Sequence, residues 1–290
     1  MHLTVVGESP TARLELRVVE PGHPLAGGRG VAADLLALDT TSGAGRSQKS
    51  PLARAVGLGR SGRRRRRGRG SAPASDVPDP PDHADPAPPS TDAPLRVLDA
   101  TAGLGEDAWL LAAAGCLVTA VERQPIVHAL LTDALRRAAE VQPQIAARLH
   151  LLPAQDAADL LRRLAEREPE REPDRPAAAA GQPEPAAHTF GDPGPFDVVL
   201  LDPMFPDASK RKTTERKPMR MLRLLAGDDP DAASLWPLAM RVAEQRVVVK
   251  RPRRAPTLPA LGPDGQAPPP PAAQHEGRGF RFDVYPTAGR

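Results

Sequence analysis

Apolar positions recur along this chain with two periods. Arg13-Leu-Glu-Leu-Arg-Val-Val19 alternates apolar and polar residues, the rhythm of a half-buried strand. Short β-branched or leucine-rich runs follow at Arg96–Asp99, Leu117–Glu122, Leu149–Leu152, Phe196–Asp202 and Arg246–Lys250. Between them, Asp107–Ala114 and Ile126–Val141 carry the three-to-four residue spacing of helices, and Ser50–Val56 opens a short helix. Phe280–Tyr285 alternates again and suits a late, antiparallel strand. Strands separated by helices predict an α/β fold with a mostly parallel sheet covered on both faces. In such sheets a ligand lies at the carboxyl ends of the strands. Three of these runs end in an acid there: Asp99, Glu122 and Asp202.

Proline interrupts the pattern. Residues 71–94, 168–195 and 252–271 hold 23 of the 36 prolines, and proline removes a backbone donor and fixes φ. The expected organisation is an N-terminal α+β extension over 1–58, a disordered Arg/Pro-rich linker over 59–94, and one domain over 95–290. That domain is expected to carry disordered insertions at 166–195 and 255–277. Hydrophobic content of 40% supports a sizeable core. The net charge of +3 comes from 39 basic and 36 acidic residues, but seven arginines lie between Arg60 and Arg69; without them the balance is 32 against 36, or −4. Two readings of that run stay open, counterion release on a nucleic acid or a solvated tether. The single cysteine, Cys116, excludes an internal disulfide and a cysteine-based zinc site, and no metal is expected. With no apolar segment of spanning length and no apolar signal core, the expected setting is the cytoplasm, away from membranes.

Val97-Leu-Asp-Ala-Thr-Ala-Gly-Leu-Gly-Glu-Asp107 follows a predicted strand and opens a predicted helix. Gly103 and Gly105 allow a tight turn and close approach of a ligand to the backbone. The spacing alone also fits a dinucleotide loop. Asp99 argues otherwise, because an acid before the loop repels a pyrophosphate and suits the cationic methionine end of S-adenosyl-L-methionine. Glu122, 23 residues later at the next strand end, is placed to accept from both ribose hydroxyls. Gln155 and Asp156 fall where a third strand ends, as adenine contacts or as a helix cap.

Leu200-Leu-Asp-Pro-Met-Phe-Pro206 is the sharpest motif. An exocyclic ring amine has its lone pair delocalised. Asp202 and the carbonyl of Pro203 can accept its two hydrogens and turn the lone pair toward a methyl donor, while Phe205 stacks on an extruded base. Met204 departs from the usual Asn/Asp-Pro-Pro-aromatic form. Beyond it, Lys210, Arg211, Lys212, Arg216, Lys217 and Arg220 border the expected substrate entrance, and Lys250-Arg251 ends a strand on the same edge, all candidates for RNA phosphates.

Together, Asp99-Ala-Thr-Ala-Gly-Leu-Gly105, Glu122-Arg123, Asp202-Pro-Met-Phe-Pro206, Val247-Val-Val-Lys-Arg-Pro252 and Gly279-Phe-Arg-Phe-Asp-Val-Tyr285 resemble the RsmJ family, as does Leu52-Ala-Arg-Ala-Val-Gly57. The resemblance covers about 95–160 and 196–254. It implies a Rossmann-like class I methyltransferase with a seven-stranded sheet that methylates the N2 of a guanine in 16S ribosomal RNA. It implies S-adenosylmethionine contacts at Glu106, Asp107, Glu122, Arg123, Gln155, Asp156 and Asp202. Glu106 replaces a basic residue usual in that family, and Gln155-Asp156 replaces small hydroxyl residues. The alternatives are an amino-group methyltransferase acting on DNA or a protein glutamine, or a non-catalytic RNA-binding assembly factor with the same fold.

Overall fold

A computed structural model of the chain describes residues 1–7, 12–23, 25–40, 50–58, 93–166, 194–202, 217–226, 232–257 and 269–288. Two strands, β1 (His2–Val6) and β2 (Arg13–Arg17), form an antiparallel hairpin, followed by a 3-10 turn (Leu35–Ala37) and α1 (Pro51–Val56). The rest alternates: β3 (Arg96–Asp99), α2 (Glu106–Ala113), β4 (Leu117–Ala120), α3 (Pro125–Val141), α4 (Pro143–Ala146), β5 (Leu149–Leu151), α5 (Ala157–Glu166), β6 (Phe196–Leu201), α6 (Lys217–Ala226), α7 (Ala232–Val242), β7 (Ala243–Pro252), β8 (Ala273–Glu276) and β9 (Phe280–Pro286). Among the described residues these strands build one seven-stranded sheet in the order β5-β4-β3-β6-β7-β9-β8. The pairs from β5 to β7 are parallel, while β9 runs antiparallel to both β7 and β8. This is the expected Rossmann-like class I arrangement.

The pleat explains why the central strands read as continuous apolar runs. Successive side chains point to opposite faces, and both faces are covered. Val97, Val198, Leu200 and Val248 join the core beneath α2 and α3, with Trp109, Leu130 and Leu131. Leu98, Val199, Leu201, Val247 and Val249 join the core beneath α5 and α7, with Leu161, Trp236 and Tyr285. Trp236 and Tyr285 meet edge to face at 5.6 Å.

Local signals set several boundaries. The Ser50 hydroxyl accepts from the Ala53 N–H at 3.1 Å and caps α1, with Pro51 in the first turn, where no donor is lost. Gln124 caps α3 in the same way through the Ile126 N–H at 2.8 Å, again followed by a proline.

The N-terminal extension is fastened to α3. Asp133 accepts from the Leu14 N–H at 3.0 Å and from Arg137 Nε at 3.0 Å. Arg137 Nη2 in turn donates to the Ala33 carbonyl at 2.7 Å, and Thr40 Oγ1 donates to Gln142 Oε1 at 2.9 Å.

Two features depart from expectation. Strand β1 was not anticipated, because its partner β2 and not its own largely exposed surface holds it in place. Strand β8 lies within 255–277, the stretch read as a disordered insertion. Its residues Ala-Gln-His-Glu have little strand propensity, and β9 supplies the ladder that orders them.

Candidate active site

The carboxyl ends of β3, β4, β6 and β7 converge on one site. Asp99 closes β3 with 2% of its surface exposed, and its Oδ1 accepts from the Thr101 N–H at 3.2 Å. Burial, helped by the neighbouring carboxylates of Asp107 and Asp202, pushes its pKa up to about 8. A buried acid with so few bonds is the chemistry expected of a site that receives a cation.

The chain then turns through Gly103 and Gly105, both at positive φ. The Gly103 N–H donates to Glu122 Oε2 at 2.9 Å, and the Gln124 N–H donates to Glu122 Oε1 at 2.7 Å. Both oxygens of Glu122 are thereby oriented by backbone donors. Gly105 caps α2, whose first turn holds Glu106 and Asp107. A Cβ placed on Gly103 would meet nothing within 4 Å, so the loop borders open space. An open glycine cradle, a buried carboxylate and a pre-oriented second carboxylate fit S-adenosylmethionine.

Asp202 follows β6. Its N–H donates to Thr101 Oγ1 at 2.6 Å, which ties the end of β6 to the loop after β3. Its side chain is 42% exposed, beside Lys250 of β7. Lys250 Nζ stands 2.7 Å from Asp107 Oδ2 and 3.0 Å from Asp202 Oδ2, and 5.3 Å from the centre of the Phe280 ring. Further along the rim, Arg123 pairs with Asp156 at 3.7 Å. Asp156 Oδ1 caps α5 through the Ala158 N–H at 2.7 Å, and Gln155 Oε1 accepts from Arg163 at 2.6 Å.

The structure thus brings Asp99, Glu106, Asp107 and Asp202 within electrostatic reach of one another and ties Glu122 to Gly103 of the loop that Gly105 closes, while Arg123, Gln155 and Asp156 follow β4 and β5. Pro203, Phe205, Lys210, Arg211 and Lys212 lie outside the described residues. Lys217 opens α6, and Arg220 on that helix is exposed. The pair Lys250-Arg251 does not act together, because adjacent strand residues face opposite sides of the sheet. Arg251 is 5% exposed and donates to the Pro256 carbonyl at 2.8 Å, so it is removed from the surface where RNA could touch it. Lys250 is turned into the carboxylate cluster instead of outward. Sequence reasoning missed Thr101, whose bond to Asp202 spans 101 positions and leaves no local signal. Among the described residues no group of three or more His, Cys, Asp or Glu side chains could hold a metal ion, and no helix is long and apolar enough to cross a membrane.

This fold, with a glycine loop after the first parallel strand and acids at successive strand ends, is the Rossmann-like fold of class I S-adenosylmethionine-dependent methyltransferases. A family model described as "Putative SAM-dependent methyltransferase" matches residues 88–171 and 186–287, and the chain belongs to that family. It is 42% identical over 198 residues to the ribosomal RNA small subunit methyltransferase J of Marinobacter nauticus, covering 68% of this chain and 58% of that protein. It is 43% identical over 194 residues to the protein of the same name from Pseudomonas paraeruginosa, covering 66% and 60%. The chain therefore spans about three fifths of the length of these relatives. Among solved structures it resembles a SAM-dependent methyltransferase of Neisseria gonorrhoeae, with TM-score 0.54 and 28% identity over 96% of this chain and 81% of that one.

Proposed function

We propose that this chain transfers the methyl group of S-adenosylmethionine to the exocyclic N2 of a guanine in 16S ribosomal RNA, in the cytoplasm. The observation that carries the reading is the seating of Asp202. It lies at the carboxyl end of β6, tied through Thr101 to the loop that follows Asp99, with its carboxylate partly open to solvent. The names of the relatives support RNA of the small subunit as the substrate.

S-adenosylmethionine, when bound, supplies a methyl group activated on a sulfonium. The residues of the chain do the rest. The cationic methionine end would draw the proton from the buried Asp99 and be balanced by the carboxylate so formed, and the glycine loop admits it closely. Glu122, oriented by the Gly103 and Gln124 N–H groups, accepts from the ribose hydroxyls. Glu106, Asp107, Arg123, Gln155 and Asp156 line the cofactor's path. Asp202, with the carbonyl of Pro203, accepts the hydrogens of the guanine amine, so that its lone pair is directed at the methyl carbon. As the new N–C bond forms and the bond from the methyl carbon to sulfur breaks, leaving its electron pair on sulfur, the nitrogen's surplus proton would pass to Asp202 and then to solvent. Phe205 stacks on the base. Lys210, Arg211, Lys212, Lys217 and Arg220 hold flanking phosphates. Positioning of this kind accounts for much of the rate gain in a simple displacement.

The test is methyl transfer from labelled S-adenosylmethionine to small-subunit RNA or assembled subunits, with mass mapping of the product. Cells lacking the protein should lack one N2-methylguanine in that RNA. An unchanged modification pattern in those cells rejects the reading.

A further inference from the structure

We propose that Lys250 is a positioning residue, which keeps the Asp202 carboxylate ionised and aimed at the reacting amine, and that it makes no contact with RNA. The role in the reaction rests on the function proposed above; the electrostatic link between Lys250 and Asp202 stands on geometry alone.

The geometry is specific. Lys250 Nζ lies between two carboxylates of different elements, 2.7 Å from Asp107 Oδ2 on α2 and 3.0 Å from Asp202 Oδ2 after β6. The Phe280 ring of β9 caps the ammonium at 5.3 Å, and Phe282 in turn braces Phe280 edge to face at 5.3 Å. Only 22% of the lysine side chain remains exposed. An ammonium held by two acids and a ring has little freedom to reach a phosphate.

The charges around Asp202 explain why a cation is needed there. Asp107 and Glu106 face it from the first turn of α2, and Asp99 faces it from β3, so three acids crowd a fourth. Partial loss of water raises the pKa of Asp202, and Asp107 and Glu106 raise it further, while Lys250 opposes the shift. A protonated Asp202 would offer one acceptor fewer to the amine, and its hydroxyl would compete as a donor. The same bond fixes one carboxylate oxygen and leaves the other to the substrate. Lys250 itself is held firmly protonated by Asp202 and Asp107.

The experiment is a titration of the whole protein labelled with 13C at aspartate carboxyls, with the Asp202 signal assigned through Asp202→Asn. In Lys250→Met the midpoint of Asp202 should rise by about 1 to 3 pH units, the range for loss of an opposite charge at this distance. Lys250→Arg should restore it to near the wild-type value. Asp107→Asn, which removes a like charge and leaves Lys250 to Asp202 alone, should move it down. An unmoved midpoint in folded Lys250→Met overturns the proposal; if that variant does not fold, Lys250→Gln decides by the same signal. In methyl transfer, the acid limb of kcat for Lys250→Met should move to higher pH by the same interval, with little change in KM for RNA. A raised KM with an unmoved acid limb would return Lys250 to the RNA surface. Failure of the wild type to methylate RNA would reject the proposed function, while the carboxyl titration would still decide this one.

Discussion

Gly105→Ala tests whether the cofactor loop is held by packing as well as by backbone freedom. Gly105 sits at φ +80° and ψ 12°, a left-handed conformation that costs an L side chain roughly 1 to 2 kcal/mol. The added Cβ would overlap Cδ1 of Leu131, closer than any real contact of its kind. Leu131 is fully buried on α3, so it must move within a packed core, and overpacking of this sort costs about 1 to 3 kcal/mol. The two effects together give a loss of about 2 to 5 kcal/mol, a large part of the roughly 5 to 15 kcal/mol stability of a domain. Urea unfolding followed by circular dichroism reads this as a lower midpoint at unchanged slope. Gly103→Ala is the control. Its φ is +54° and nothing lies within 4 Å of the new methyl, so only the backbone strain applies. There the loss should be about 1 to 2 kcal/mol, but calorimetric affinity for S-adenosylmethionine should fall, because the methyl enters the space the ligand needs. In a Leu131→Ala background the overlap is relieved, so Gly105→Ala should cost about 1 to 3 kcal/mol less than in the wild type. If Gly105→Ala is as stable as the wild type, or its cost is unchanged beside Ala at 131, the packing argument is wrong.

Three other outcomes follow from the site and its supports. Asp202→Ala should remove methyl transfer while leaving the melting temperature nearly unchanged, since the bond to Thr101 comes from the backbone N–H; turnover near that of the wild type would end the amine-acceptor role. Asp99 is an acid whose folded pKa, about 8, lies above its unfolded value of 3.8. The folded chain therefore binds the extra proton, and this group's contribution to stability falls as pH rises from about 4 to 8. Asp99→Asn should flatten that dependence in urea melts at pH 6 and pH 8, and a curve as steep as the wild type's would refute the assignment. Asp133 is the opposite case: burial acts to raise its pKa, but bonds from Leu14, Arg137 and Arg136 outweigh it and hold the pKa low. Its support is present above the unfolded pKa and lost as pH falls through the folded one, below about 4. Asp133→Ala should cost about 2 kcal/mol at pH 7 and expose the N-terminal extension to limited proteolysis, and an unchanged digestion pattern would rule out this fastening.

The division between sequence and structure is clearest at individual residues. The α/β class was legible because apolar runs such as Val97-Leu98 and Val198–Leu201 must be buried on both faces, and strands of that kind occur in parallel sheets between helices. The loop from Asp99 to Asp107 was legible because glycine at positive φ and an acid at a strand end are local requirements. The helix start at Ser50 was legible for the same reason. Neither β1 nor β8 was legible, since each is ordered by its partner strand and not by its own side chains. The roles of Lys250 and Arg251 were not legible either. They are adjacent in sequence and alike in charge, but the pleat sends one into a carboxylate cluster and the other beneath the Pro256 carbonyl. Thr101 and Asp202 are one hydrogen bond apart in space and 101 positions apart in the chain. Sequence alone therefore determined which local conformations and which chemical groups this protein has. Tertiary structure decided which charges face each other, because that depends on strand order and register, and those emerge only when the sheet is assembled.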